Sequence, residues 1–227
     1  MKKILLLTVI AILLTALTSC DPEPIPPGPP PVSYTISTNT IGKGLVTPEK
    51  LSGVNLGSDV TFKITPEAGY SIYSIKRNGT LVEGFQYSAS ETSYTVKDVK
   101  SNLHIEFTFV DTRILLLSQK EPAWRFTKME IFRARDNVFS HKINLTDIEH
   151  SFKIYLYYPS MDIKIFLPDG TIWWSEKWDL VGDLYKEGDA KMTVIEITPN
   201  RFVFKAPPVW SEYDKEYLYA MYAYERK

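Results

Sequence analysis

The feature that most constrains this chain is a hydrophobic period of two, broken every few residues by glycine or proline. Val60, Phe62 and Ile64 fall on one face of an extended segment, with Asp59, Thr61, Lys63 and Thr65 on the other. Leu103, Ile105, Phe107 and Phe109 repeat the pattern, with His104, Glu106 and Thr108 opposite. Successive side chains of a strand point to opposite faces, so this alternation predicts half-buried strands. Asn78-Gly79 lies between apolar runs, where two residues that tolerate positive φ close a hairpin. Gly42-Lys43-Gly44 is a lone G-x-G with no helix behind it, and it reads as a turn. No stretch of residues 33–110 keeps a helical period.

Residues 113–227 carry the same signature with a heavier aromatic load, holding all five Trp, nine of fourteen Tyr and seven of eleven Phe. Strands are predicted at 152–157, 162–167, 171–175, 178–181, 191–198, 201–205 and 217–224. Pro168-Asp169-Gly170 presets one turn; Gly182-Asp183 and Glu187-Gly188-Asp189 mark others. Six to eight short strands with turns at such intervals predict a meander or barrel. The one helix signal is a capping box at Thr146-Asp147-Ile148-Glu149. On the 171–175 strand Ile172 and Trp174 share a face, which sends Trp174 inward and Trp173 outward.

The first 32 residues are not fold material. Lys2 and Lys3 precede an apolar run from Ile4 to Leu14, and Leu17-Thr18-Ser19-Cys20 follows. This layout is that of a secretory signal, short for a spanning helix. Asp21 to Pro31 holds seven prolines in eleven residues and favours a polyproline II tether. At about 3.1 Å per residue it reaches roughly 30 Å. Cys20 is the one cysteine, so disulfides, Cys-based zinc sites and Cys nucleophiles are excluded from the folded part if it carries lipid. Without residues 1–19 the chain has 24 basic and 27 acidic side chains, a balance that argues against nucleic acid as a partner.

Three resemblances sharpen this reading. Leu-Thr-Ser-Cys resembles the lipobox of bacterial lipoproteins, which implies cleavage before Cys20, acylation there, and an exported protein held in the cell envelope, more at the outer membrane than the inner. Gly42–Pro48, Gly57-Ser58-Asp59-Val60, Pro66-Glu67-Ala68-Gly69-Tyr70 and the closing His104–Phe109 segment resemble, in that order, an internalin-type B-repeat. That implies a small β-grasp-like sheet domain at 33–110, used as a spacer or adhesion module. Trp124 after Leu115-Leu116-Leu117, the segments 165–171 and 177–183, and 194–204 with the Tyr-rich end resemble bacterial lipocalin-like (calycin) domains. That implies an antiparallel β-barrel at 113–227. The expected fold is therefore all-β: signal 1–19, lipidated Cys and tether 20–32, then the two β domains.

Chemistry for catalysis is thin. His104 sits on a polar strand face, and His141 and His150 have no metal-ligand spacing. Asp147 with Glu149, and Glu187 with Asp189, read as solvated acids at a cap and a turn. No enzyme activity, cofactor or metal is expected. Binding is the better expectation, and Trp173, Trp210, Tyr217 and Tyr219 are the candidate contact residues. Trp124, Trp174 and Trp178 are assigned to the core. Two functions follow. One is a lipid-anchored binding protein whose barrel holds a small apolar ligand. The other is an adhesion or assembly subunit with a filled barrel, which meets a glycan or an envelope protein by its surface.

Overall fold

The computed structural model describes residues 32–119, 123–144 and 153–226. The expected short helix at 146–149, the 147/149 acid pair, His150, Cys20 and the tether lie outside these residues.

The described residues are all-β with one short helix. Residues 33–111 form two facing sheets. The larger has the order β3-β1-β8-β5-β6, from β1 (Ser33–Ile41), β3 (Lys50–Asn55), β5 (Tyr70–Arg77), β6 (Thr80–Leu81) and β8 (Leu103–Asp111). Its β1–β8 pair is parallel, with Ile36 opposite Leu103 and Ile41 opposite Thr108. The smaller sheet is β2 (Gly44–Thr47), β4 (Val60–Pro66) and β7 (Thr92–Val96). Ile36, Phe62, Ile64, Ile72, Ile75, Ile105 and Phe107 bury completely between the layers. Phe62 and Phe107 bring their rings to 5.8 Å across the sheets.

Asn78 and Gly79 both have positive φ and close the β5–β6 hairpin, as their sequence predicts. The Asn78 carboxamide oxygen also accepts the His104 N–H at 2.8 Å, tying the turn to β8. Gly42-Lys43-Gly44 is the turn between β1 and β2. A Cβ on Gly42 would fall 2.0 Å from the Phe109 carbonyl oxygen, and one on Gly44 2.3 Å from the Phe109 ring. Side chains at either position would displace β8.

Asp111 ends β8 and caps α1 (Thr112–Leu117), accepting from the Arg113 N–H at 2.9 Å. The Arg113 guanidinium pairs with the same carboxylate and reaches Asp183 at 2.7 Å and the Gly182 carbonyl at 2.8 Å. Arg113 thereby links the first sheet to the turn at 182–183 of the second.

The remaining strands are β9 (Trp124–Arg133), β10 (Phe139–Ile143), β11 (Lys153–Tyr157), β12 (Asp162–Phe166), β13 (Ile172–Val181), β14 (Leu184–Glu187), β15 (Ala190–Ile197), β16 (Arg201–Lys205), β17 (Val209–Ser211) and β18 (Glu216–Arg226). They form one antiparallel sheet that nearly closes into a barrel-like ring through a long β9–β18 pairing. The ring is β9-β11-β12-β13-β14-β15-β16-β18. Among the described residues β9 meets β11 at Ile154 and Trp124. The far halves of β9 and β18 run on past the ring and are flanked by β10 and β17, making a four-stranded ribbon.

Three local expectations are corrected. The segments 171–175 and 178–181 form one ten-residue strand, because Ser175-Glu176-Lys177 stays paired with β12. His141 and Trp210, expected in loops, lie on β10 and β17. α1 was not foreseen.

The ring is filled with rings. Trp124, Trp178, Tyr185, Phe202 and Phe204 are buried together. Tyr185 stacks on Phe204 at 5.3 Å, Phe204 on Tyr222 at 5.1 Å, and Phe126 on Tyr224 at 5.1 Å. An eight-stranded ring is just wide enough to be filled by its own side chains. One end is sealed by α1 and the segment after it. The Trp124 indole N–H donates to the Leu117 carbonyl at 2.9 Å. Arg226 lies over the Trp124 ring, 4.1 Å from its centroid. Its guanidinium donates to the carbonyls of Leu116 at 2.8 Å and Gln119 at 3.0 Å, and to the Gln119 side chain at 2.7 Å.

Candidate functional site

Space for a ligand lies in three places: the ring interior, the ribbon, and the junction between the two β bodies. The interior space bounded by Trp124, Leu156, Tyr185, Glu187, Phe202 and Tyr224 amounts to about 20 Å³. That is room for about one water. The polar group facing it is Glu187, whose carboxylate accepts the Tyr185 hydroxyl at 2.8 Å. Burial holds the Glu187 carboxyl above its ordinary range, and Glu176 nearby adds to this. The same burial pushes the Tyr185 and Tyr224 hydroxyls up. Glu187 is thus no solvated turn acid, as the sequence reading had it. Strand parity held the missed signal, since Glu187 shares a face with the inward Tyr185.

The ribbon gathers three of the four candidate residues but does not use them alike. Trp210 is 43% exposed and Tyr217 58%. They pair across β17–β18 with rings edge to face at 5.2 Å. They stand beside a hollow of about 350 Å³ lined by residues such as Ile131, His141, Val209, Trp210 and Leu218. Tyr219 also lines this hollow, but it is only 6% exposed. Its ring stacks on Phe132 at 5.3 Å and is covered by the Lys205 ammonium at 3.6 Å. Trp173 stands apart from both, on the outer wall of β13 and 57% exposed. Trp174 turns inward against the barrel core, as parity predicted.

Among the described residues a cleft of about 800 Å³ lies where the two β bodies meet, and nothing in the sequence pointed to it. One wall is the outer face of β5 and β8, with Tyr73, Ser74, Lys76 and Thr108. A second is the loop Val82–Tyr87 after β6. The third is Tyr158-Pro159, in the turn after β11. A β-bulge in β5 between Ile72 and Ser74 aims Tyr73 at this space. Bulges of this kind re-aim single side chains. Tyr73 and Tyr158 meet edge to face at 4.8 Å, and burial pushes the Tyr158 hydroxyl above its ordinary pKa, with Tyr73 adding to it. Lys76 is neutralised by Glu106 at 3.0 Å. The Tyr87 hydroxyl accepts from the Gln119 amide at 3.3 Å. No sequence pattern announces this site, since its walls come from segments about 70 residues apart.

Among the described residues no group of three or more His, Cys, Asp or Glu side chains is placed to hold a metal, and no helix is long and apolar enough to cross a membrane. His104 lies on the polar face of β8 beside the Ser37 hydroxyl, and His141 beside that of Ser140. Comparison with known proteins gives no family model, no curated protein and no solved structure that matches this chain.

Proposed function

We propose that this chain is a lipid-anchored cell-envelope protein that acts by contact through its outer β surface, to which both residues 33–110 and residues 113–227 contribute. Cys20 carries the lipid and the proline-rich segment holds the β bodies off the membrane. The observation that supports surface contact over ligand enclosure is the ring interior. The space enclosed among Trp124, Leu156, Tyr185, Glu187, Phe202 and Tyr224 is about 20 Å³, while Trp173, Trp210 and Tyr217 are displayed outside. A small-molecule carrier needs an enclosed pocket of about 300 Å³ or more. Exposed aromatic groups beside a hollow are instead what contact surfaces present.

The test is photo-crosslinking in cells of the source organism. A photoreactive amino acid at Trp173, Trp210 or Tyr213, which stands 95% exposed in the turn between β17 and β18, is expected to give a discrete adduct with an envelope component, and one at the inward Trp174 none. No adduct from any outer position overturns the proposal. The anchor is tested separately. Cys20→Ala is expected to leave the precursor uncut or release the protein from the membrane fraction; a variant that stays mature-sized and membrane-bound refutes lipidation.

A further inference from the structure

We infer that the cleft between the two β bodies is a binding site for a neutral oligosaccharide. The inference rests on the surface-contact reading and gives it a ligand class. Its size is right for a ligand of a few rings, near the upper end of the range of about 300–1,000 Å³ for well-formed sites. Its walls have the two chemistries that a sugar ring requires. A pyranose has an apolar face of C–H groups and a rim of hydroxyls. Tyr73, Phe85 and Tyr158 supply ring surface for the first. Ser74, Gln86 and Thr108 supply neutral donors and acceptors for the second.

The electrostatics narrow the class. Lys76, a cation on the cleft wall, is spent on Glu106 at 3.0 Å, and Glu83 adds an acid to the opposite wall. Among the described lining residues a phosphate or uronate would meet no uncommitted positive charge. A purely apolar ligand would strand the hydroxyls and the amide of the rim, which costs free energy when they leave water. A neutral glycan satisfies both sets of groups. The bulge at Tyr73 is the local sign of a built site. Tyr73 sits at the β5 bulge between Ile72 and Ser74, and its ring meets the Tyr158 edge. Two of its walls belong to the first body and the third to the second, and the Arg113 link to Asp111, Asp183 and Gly182 helps to hold them together.

The experiment takes the mature lipoprotein, purified in detergent from the envelope, to an array of neutral and anionic glycans, followed by titration calorimetry with the best-retained neutral glycan. Retention of neutral oligosaccharides is expected. Tyr73→Leu and Tyr158→Leu, which keep apolar volume, are each expected to weaken binding at least tenfold. Gln86→Ala, at an exposed loop position that leaves the fold intact, is expected to weaken it severalfold. Trp210→Ala on the ribbon is expected to leave it unchanged. Retention of no neutral glycan, retention of anionic glycans alone, binding insensitive to all three cleft variants, or a protein captured through the cleft in place of a glycan each overturns the inference. The surface-contact reading fails by a different result, the absence of crosslinks at Trp173, Trp210 and Tyr213.

Discussion

Arg226→Ala is expected to unseat the closed end of the barrel. Arg226 is 8% exposed, at the last described residue of β18. Three of its hydrogen bonds are 3.0 Å or shorter, to Leu116, to the Gln119 backbone and to the Gln119 side chain. Two longer ones reach Leu117 and Pro199 at 3.3 Å. A hydrogen bond with one charged partner contributes about 1.5–3 kcal/mol. A desolvated cation over an indole ring adds about 2 kcal/mol. These contacts share one side chain, so they do not add in full. Water also enters to solvate the freed carbonyls. The net loss is about 3–5 kcal/mol, the range for breaking a buried charged network. All five tryptophans lie at 124–210, so tryptophan fluorescence during urea unfolding reports on this body alone. The midpoint should fall sharply, and Tm by roughly 10 °C or more. Arg226→Lys keeps the charge but not the planar fork, and should recover less than half of the loss. A loss under about 1 kcal/mol for the alanine variant would refute the seal.

Glu187→Gln tests the interior acid. Its folded pKa lies above the unfolded value, so the folded state holds the proton more tightly. That contribution is complete below the ordinary carboxylate pKa and is lost as pH rises through the folded value. The variant should therefore gain Tm at pH 8 relative to the wild type and show little gain at pH 4; an equal change at both would contradict the assignment. Tyr219→Ala should cost about 3 kcal/mol in urea unfolding, through the lost Phe132 stack and burial, and Trp210→Ala less than about 1 kcal/mol. Comparable costs would mean that both residues pack alike. Gly44→Ala should destabilise the first body by about 1–3 kcal/mol by pressing on the Phe109 ring, read by calorimetry; a neutral effect would place β8 elsewhere.

Much of the scaffold was legible because strand parity is local. Val60, Phe62 and Ile64 alternate with exposed neighbours as their spacing requires. Asn78-Gly79 turns where it should, and Trp174 points in while Trp173 points out. α1 was not legible, since six residues cannot display a helical period and Thr112-Arg113-Ile114-Leu115 also suits a strand. The cover over Tyr219 was not legible, because parity gives a direction only; Phe132 and Lys205, which pack on its ring, come from other strands. Parity did hold the inward direction of Glu187, but its turn position hid it. The cleft was invisible for a different reason. Tyr73 and Tyr158 meet only after the two bodies dock, so neither segment alone points to the cleft.

The most direct test of the account is native mass spectrometry of the mature protein released gently from its envelope, as wild type and as Tyr73→Leu/Tyr158→Leu. The account predicts the mass of the lipidated chain in both, with any additional mass in the wild type being carbohydrate and absent from the double variant. A stoichiometric apolar molecule retained by both proteins would contradict it, because the ring would then hold a ligand that its filled interior has no room for.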